Sequence, residues 1–204
     1  GVPIAMALAP DGQGMAFSMV NVTGGTADTR LTFLDLDAEN TGTDKVVGAF
    51  KYPEALYPEL TYLTQKEVCA FGDTGMEFFS LADPASPKLV QSVPHEKKVR
   101  SAFTAFGQAC IIYENEDGGS ELVFFDGDGD RGLSYELDFE YSQITCSGGY
   151  LLIYSEERCF ITGKSGQLVY NGTFSGSTYQ MVVTGMHTLL QIGDYGMREV
   201  KLKG

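Results

Sequence analysis

The chain has 204 residues, 43% of them apolar, with 25 glycines, 11 tyrosines, 13 phenylalanines and no tryptophan. That mixture describes a folded chain dense in turns and β-formers and excludes a disordered one. Fourteen basic residues against 27 acidic ones give a formal charge of −13, which repels phosphate backbones and anionic bilayers and sets nucleic acid aside as a partner.

A chain of this size buries roughly 70% of the surface its unfolded form exposes, so it needs neither disulfides nor a structural metal, and one domain over 1–204 is the default. No apolar run approaches the roughly 18 residues of a spanning helix, so this segment inserts no membrane helix of its own. Val2 to Leu8 already reads as a strand, without the charged and apolar regions of a secretion signal, and the segment is expected to be cut from something longer.

In chain order, the first unit offers strands at Ile4 to Ala9, Met15 to Val22, Arg30 to Asp37 and Lys45 to Tyr52, each apolar or β-branched and bounded by Gly, Pro, Asp or Asn. Its first turn, Ala9-Pro10-Asp11-Gly12-Gln13-Gly14, puts Pro where φ must be fixed and Gly where the chain goes left-handed. The second unit offers Glu59 to Leu63, Glu67 to Phe71, Met76 to Leu81 and Lys88 to Val93. The third offers Val99 to Phe106, Ala109 to Tyr113, Glu121 to Asp126 and Leu133 to Phe139. The fourth offers Gln143 to Cys146, Tyr150 to Tyr154, Cys159 to Thr162 and Gln167 to Phe174. Tyr179 to Thr184, His187 to Ile192 and Met197 to Leu202 begin a fifth unit that lacks its fourth strand.

The hairpin Cys69-Ala70-Phe71-Gly72-Asp73-Thr74-Gly75-Met76 recurs as Leu190-Gln191-Ile192-Gly193-Asp194-Tyr195-Gly196-Met197, 121 positions later. That spacing is about three periods of the roughly 40-residue unit of propeller blades. The fold class is therefore all-β and propeller-like, with about five four-stranded antiparallel blades at 2–53, 54–97, 98–140, 141–176 and 177–204. An incomplete last blade exposes unpaired backbone groups that another chain could pair with, and the expectation is the C-terminal part of a larger ring.

The cysteines, Cys69, Cys110, Cys146 and Cys159, include no C-x-x-C pair, which disfavours zinc. Cys69 and Cys110 occupy matching positions in consecutive units, where Ala16, Leu151 and Thr188 stand in others, and read as small buried apolar residues. Cys146 and Cys159 fall on strands separated by a third, about 9 to 10 Å apart and beyond disulfide reach. All four are expected to be free thiols, in keeping with a reducing or anaerobic setting.

The stretch Ala7-Leu8-Ala9-Pro10-Asp11-Gly12 followed by Met15-Ala16-Phe17-Ser18 resembles the P-D-G hairpin of WD-like and YVTN-like propellers. Together with Asn21-Val22-Thr23-Gly24-Gly25, Arg30-Leu31-Thr32-Phe33, Phe71-Gly72-Asp73 and Arg198-Glu199-Val200-Lys201-Leu202, it resembles an uncharacterised clostridial domain-of-unknown-function family over nearly the whole chain. The resemblance implies a short N-terminal tail and one transmembrane helix ahead of a propeller-like domain outside the cell. It brings no catalytic residues.

Among candidate sites, Asp126-Gly127-Asp128-Gly129-Asp130 is the densest carboxylate cluster, and alternating Asp residues are how calcium loops present oxygens. Arg131 and Leu137 stand where an EF-type loop wants Gly and a bidentate Glu, so calcium at Asp126, Asp128 and Asp130 competes with a plain solvated turn, which is the favoured reading. Asp73-Thr74-Gly75 and Asp194-Tyr195-Gly196 spell protease-like triplets but are better explained as turns with Gly left-handed.

The connection His95-Glu96-Lys97-Lys98-Val99-Arg100 joins two blades on the face propellers usually use for ligands. Its counterparts carry Tyr52, Glu54, Tyr57 and Glu59, then Glu140 and Tyr141, then Tyr179 and Gln180. Tyrosines beside a few charges compose a recognition surface. Tyr52, Tyr57, His95, Lys97, Lys98, Arg100, Tyr141 and Tyr179 are thus the candidate partner-binding residues, set against a basic run that merely solvates a loop. His95 and His187 lack a nucleophile partner. The leading expectation is a non-catalytic extracytoplasmic module without a cofactor, binding a protein, peptide or cell-envelope component. The alternative is a glycan hydrolase or lyase using Glu54, Glu59 or Glu140, which would need two carboxyls about 5.5 Å or 6.5 to 9.5 Å apart in a cleft.

Overall fold

The computed structural model describes residues 1–36, 45–174, 176–185, 188–194 and 196–201. Asp37, His187, Tyr195 and Leu202, which the sequence reading placed in strands or turns, lie outside them. The described chain is all-β. Its strands are β1 (Val2–Leu8), β2 (Gly14–Thr23), β3 (Thr26–Asp35), β4 (Val46–Tyr52), β5 (Glu59–Tyr62), β6 (Glu67–Phe71), β7 (Gly75–Ser80), β8 (Lys88–Pro94), β9 (Val99–Ala105) and β10 (Gln108–Glu114). They continue as β11 (Ser120–Phe125), β12 (Arg131–Leu137), β13 (Gln143–Ser147), β14 (Tyr150–Tyr154), β15 (Arg158–Gly163), β16 (Leu168–Thr173), β17 (Thr178–Gly185), β18 (Thr188–Gly193) and β19 (Gly196–Lys201). Consecutive strands pair antiparallel into four sheets of four and a last sheet of three, β17 to β19. No helix among the described residues is long and apolar enough to cross a membrane.

The chain divides into two compact units, residues 1–113 with 123–134, and residues 114–122 with 135–204. In the first unit the middle strands β6 and β7 of the sheet β5–β8 are buried on both faces, and their period-2 alternation sorts side chains between two cores. Val68, Ala70 and Phe79 join Ala16, Leu31, Phe33 and Leu60 of neighbouring strands. Cys69, Phe71, Met76 and Phe78 turn the other way, to Ala109, Ile111, Val123 and Phe125. Phe33 and Phe79 meet at 5.0 Å between ring centroids, with Phe50 4.9 Å from Phe79, the tilted geometry that aromatic quadrupoles favour. In the second unit Leu152, Tyr154, Cys159, Ile161, Met181 and Leu189 form the core.

Last strands of the sheets, such as β4 and β8, alternate exposed and half-buried positions, whereas the middle strands β6, β7, β10, β11, β14 and β15 are buried almost throughout. Continuous apolar runs such as Cys110–Tyr113 and Leu122–Phe125 are the sequence mark of strands covered on both faces. Cys69 and Cys110 are buried, as their matching positions in consecutive units led one to expect. All four are free thiols; Cys69, Cys110 and Cys159 are buried and Cys146 is exposed. Cys146 on β13 and Cys159 on β15 are separated by β14.

The two D-x-G turns differ. Gly196 is left-handed, with φ +89°, as expected, but Gly75 is not among the positive-φ glycines. Gly75 is required by proximity instead, since a Cβ there would lie 2.6 Å from the Val93 carbonyl oxygen and 3.0 Å from Pro94 Cα.

Candidate functional site

Three connections of the first unit are stitched together at one end of the sheet β5–β8. Leu56, in the β4–β5 connection, donates its N–H to Asp73 Oδ1 at 3.0 Å, and Asp73 returns its own N–H to the Leu56 carbonyl at 3.0 Å. The β8–β9 connection closes on the same turn, because His95 N–H donates to the Thr74 carbonyl at 3.0 Å and His95 Nε2 lies 3.1 Å from the Gly72 carbonyl oxygen. A carbonyl can only accept, so Nε2 carries the proton and Nδ1, 3.3 Å from the Tyr113 hydroxyl, accepts in the neutral ring. Burial lowers the His95 pKa, against the raising effects of the Gly72 carbonyl and Asp73.

Beneath these connections lies a buried carboxylate. Glu77, 7% exposed on β7, accepts from the Tyr57 hydroxyl at 2.9 Å and from the Ser92 hydroxyl at 2.5 Å, so each oxygen has a donor. Tyr52 packs against Tyr57 with ring centroids 4.9 Å apart and the planes tilted by 56°, and its hydroxyl is buried with no hydrogen-bond partner among the described residues. Burial first, and the Glu77 carboxylate second, hold both phenols well above the ordinary tyrosine range. Gly72 is what lets Tyr57 in. A Cβ there would meet the Tyr57 ring at 2.7 Å.

On the solvent side, Glu54 takes a left-handed φ of +58°, while Thr29 Oγ1 donates to the Ala55 carbonyl at 2.7 Å. Asp28 accepts the Glu54 N–H at 3.4 Å and pairs with Lys51 at 3.1 Å; Lys51 chiefly, then the Glu54 N–H, lowers its pKa. The loop is thereby held at Glu54, Ala55 and Leu56, and the Leu56 side chain stays outside, 38% exposed.

The predicted site residues divide accordingly. Tyr57 is an interior residue, 2% exposed, not the surface aromatic expected, because its hydroxyl finds the Glu77 carboxylate inside. Tyr52 and His95 are half-buried, Lys97 and Lys98 are exposed, and Arg100 is half-buried on β9. In the second unit Tyr141 is half-buried ahead of β13, and Tyr179 is exposed with its hydroxyl donating to Asp194. Glu59 and Glu54 are exposed in the first unit and Glu140 in the second; desolvation raises the Glu59 pKa. Glu77, Ser92 and the structural role of Asp73 were missed. A glutamate inside the apolar run Met76 to Phe79 was the signal available.

The Asp126 to Asp130 segment is a turn joining β11 and β12. Asp126 Oδ1 accepts from the N–H groups of Asp128 and Asp130, at 3.1 and 2.9 Å, and Gln91 Nε2 donates to the Gly129 carbonyl at 3.2 Å. Among the described residues no three His, Cys, Asp or Glu side chains are gathered as metal ligands.

This arrangement of four-stranded antiparallel sheets with stitched connections is that of the WD40-type β-propellers. Sqt1 from Chaetomium thermophilum matches all of the chain with a TM-score of 0.61 and 14% identity, and the same protein bound to the N-terminus of ribosomal protein L10 matches 99% with a TM-score of 0.60. The WD40 domain of SCAP from fission yeast matches 94% at 0.55 and 12% identity. The chain spans 58% and 61% of the two Sqt1 chains and 50% of the SCAP chain. At these identities the likeness shows the fold. No curated protein matches the sequence. Residues 1–202 match the family of unknown function DUF5711, and the chain belongs to that family.

Proposed function

We propose that this protein is a non-catalytic propeller module that binds a protein, peptide or cell-envelope component through the end of the first unit that displays Leu56. The observation that carries the reading is the reciprocal Leu56–Asp73 hydrogen-bond pair, which holds an exposed apolar side chain on a pre-ordered loop at the end of the sheet where the β8–β9 connection with Lys97 and Lys98 also closes. Pre-ordering removes entropy that binding would otherwise cost. Glu77, the buried carboxylate of the site, has both oxygens occupied by hydroxyl donors, which suits a structural strut better than a proton-transfer group. Sqt1, whose fold this chain shares, was crystallised with a peptide-like partner, the L10 N-terminus. The reading includes an extracytoplasmic position in a Gram-positive anaerobe behind an N-terminal transmembrane helix, supported by the family resemblance drawn from the sequence.

The test is selection of a phage-displayed random peptide library on the purified chain. Peptides that enrich on the wild type and fail on Leu56→Asp and on Lys98→Glu with Arg100→Glu, with melting temperatures nearly unchanged, support the reading. No enrichment over an unrelated acidic protein, or equal capture by the variants, overturns it.

A further inference from the structure

The sheet β1–β4 is packed on one face only. Ala16, Leu31 and Phe33 turn toward the core shared with β5–β8, with Ala5 and Ala7 of β1 packed against it. The alternate residues of the same strands point the other way, and they are as apolar. Leu8 pairs with Met15, Met15 with Leu34 and Leu34 with Val46, so one row crosses all four strands. A second row runs through Met6, Phe17, Thr32 and Ala49. Met6 is 64% and Leu8 53% exposed, while Met15, Phe17 and Leu34 are half-buried.

The next sheet shows such a face when it is covered. On β6 and β7 one set of alternating side chains joins the β1–β4 core. The other set, Cys69, Phe71, Met76 and Phe78, is at most 3% exposed, packed with Ala109 and Ile111 of β10 and Val123 and Phe125 of β11. Apolar side chains on both faces mark strands that are covered on both sides. Residues 6 to 8 and 15 to 17 carry that mark, and one of their faces stands open.

Shape chooses the kind of occupant. A row across four strands is about 15 Å wide, too broad for one extended segment and matched to another sheet. Chain order chooses the source. Both sheet-on-sheet cores of this unit join sheets that are consecutive in the chain, β1–β4 with β5–β8 and β5–β8 with β9–β12. Continuing that stack puts a sheet that comes before β1 on the open face. A second copy would instead bring another charge of −13 to the contact, a repulsion that the continued stack avoids. The Sqt1 chains that overlay this one extend beyond it, with 58% and 61% of their lengths matched, so the fold has room for further sheets.

We propose that the face carrying Met6, Leu8, Met15 and Phe17 docks a further antiparallel sheet of the same polypeptide, formed by the stretch that precedes Gly1. Apolar side chains of that sheet close over the two rows, and the unbranched methionines adjust to them. The surface is separate from the Leu56 end, and its test is independent of that reading.

Methionine oxidation reads the face directly. Residues 1–204 and the polypeptide produced from its natural start codon are treated with hydrogen peroxide, with Nα-acetyl-methionine methylamide in the same tube as the dose reference. Each methionine is then followed by peptide mass spectrometry. In the 204-residue chain Met6 is expected to oxidise within a few-fold of the reference, with buried Met76 and Met181 setting the slow limit. In the longer polypeptide Met6 slows at least tenfold. Met6→Lys puts a charge on a face that is open in one protein and closed in the other. It leaves the melting temperature of the 204-residue chain nearly unchanged and lowers that of the longer polypeptide by more than about 5 °C. Should the longer variant not fold, the wild-type oxidation rates decide alone. Equal Met6 rates in the two proteins, or an equal effect of Met6→Lys on both, overturns the proposal. So does a reading frame with too few residues ahead of Gly1 for a four-stranded unit, about 40. Protection of Met6 that appears in the 204-residue chain alone, as its concentration rises from about 1 to 200 μM, assigns the face to a second copy and likewise overturns it.

Discussion

The Tyr57 hydroxyl donates to Glu77 Oε1 at 2.9 Å in the interior of the first unit, while Ser92 covers the other carboxylate oxygen at 2.5 Å. A carboxylate buried between sheets is tolerable only while its lone pairs are met.

Tyr57→Phe removes one donor and leaves a buried acceptor under-satisfied. The expected loss is about 1 to 3 kcal/mol, read from urea unfolding monitored by circular dichroism. Ser92→Ala gives a loss of the same sign. Stability within error of wild type for both variants would show that Glu77 is hydrated and the strut unimportant.

Gly72→Ala and Gly12→Ala separate crowding from backbone conformation. At Gly72 the new methyl meets the Tyr57 ring at 2.7 Å and the Gly75 carbonyl oxygen at 2.8 Å, and overpacking of this kind costs about 1 to 3 kcal/mol. At Gly12 there is nothing within 4 Å, but φ is +75°, and the left-handed penalty of about 1 kcal/mol remains. Thermal melts should therefore rank Gly72→Ala below Gly12→Ala, and the reverse order would contradict the packing of Tyr57 over Gly72.

His95 makes stability depend on pH in a defined direction. Its folded pKa lies below the ordinary 6.5, chiefly through burial. Above 6.5 both states are neutral and the group contributes nothing. As the pH falls below 6.5 the unfolded chain takes up a proton that the folded chain resists, so stability declines until the folded pKa is passed and then levels off. His95→Gln should lose the part of the pH 7.5 to 5 decline that belongs to this group. Identical melting curves against pH for variant and wild type would remove the effect.

Thiol reactivity reads the core directly. In native buffer Cys146 is the one exposed cysteine, and Cys69, Cys110 and Cys159 are buried, with burial raising the pKa of Cys69 and Cys159 well above that of a free thiol. One fast equivalent with a thiol reagent and three more only on unfolding is the expected stoichiometry. Two or more fast equivalents would mean that a core opens readily.

Phe33 holds the first core through its contact with Phe79 at 5.0 Å. Phe33→Ala should cost about 3 to 5 kcal/mol, measured as a drop in the urea midpoint, and a loss below about 1 kcal/mol would show that this core collapses onto the cavity.

Strand order, the three-stranded last sheet and the buried places of Cys69 and Cys110 were legible along the chain, because turn residues and two-residue alternation are local properties that neighbours in sequence impose. The P-D-G turn was legible for the same reason, and Gly12 is left-handed as its position demands. The recurring D-x-G spelling misled at Gly75, where the constraint comes from Val93 and Pro94 on another strand.

What the sequence by itself determined is the repeating antiparallel unit, its breaks and its acidic character. Only the tertiary structure decided that Tyr57 points inward to Glu77, that Asp73 holds Leu56 at the surface and that Asp11 shares a cleft with Tyr62. These pairings join residues 17 to 51 positions apart, through hydrogen bonds and packing between different strands. A one-dimensional pattern fixes which face of a strand a side chain takes, but the partner waiting on that face is supplied by another part of the fold.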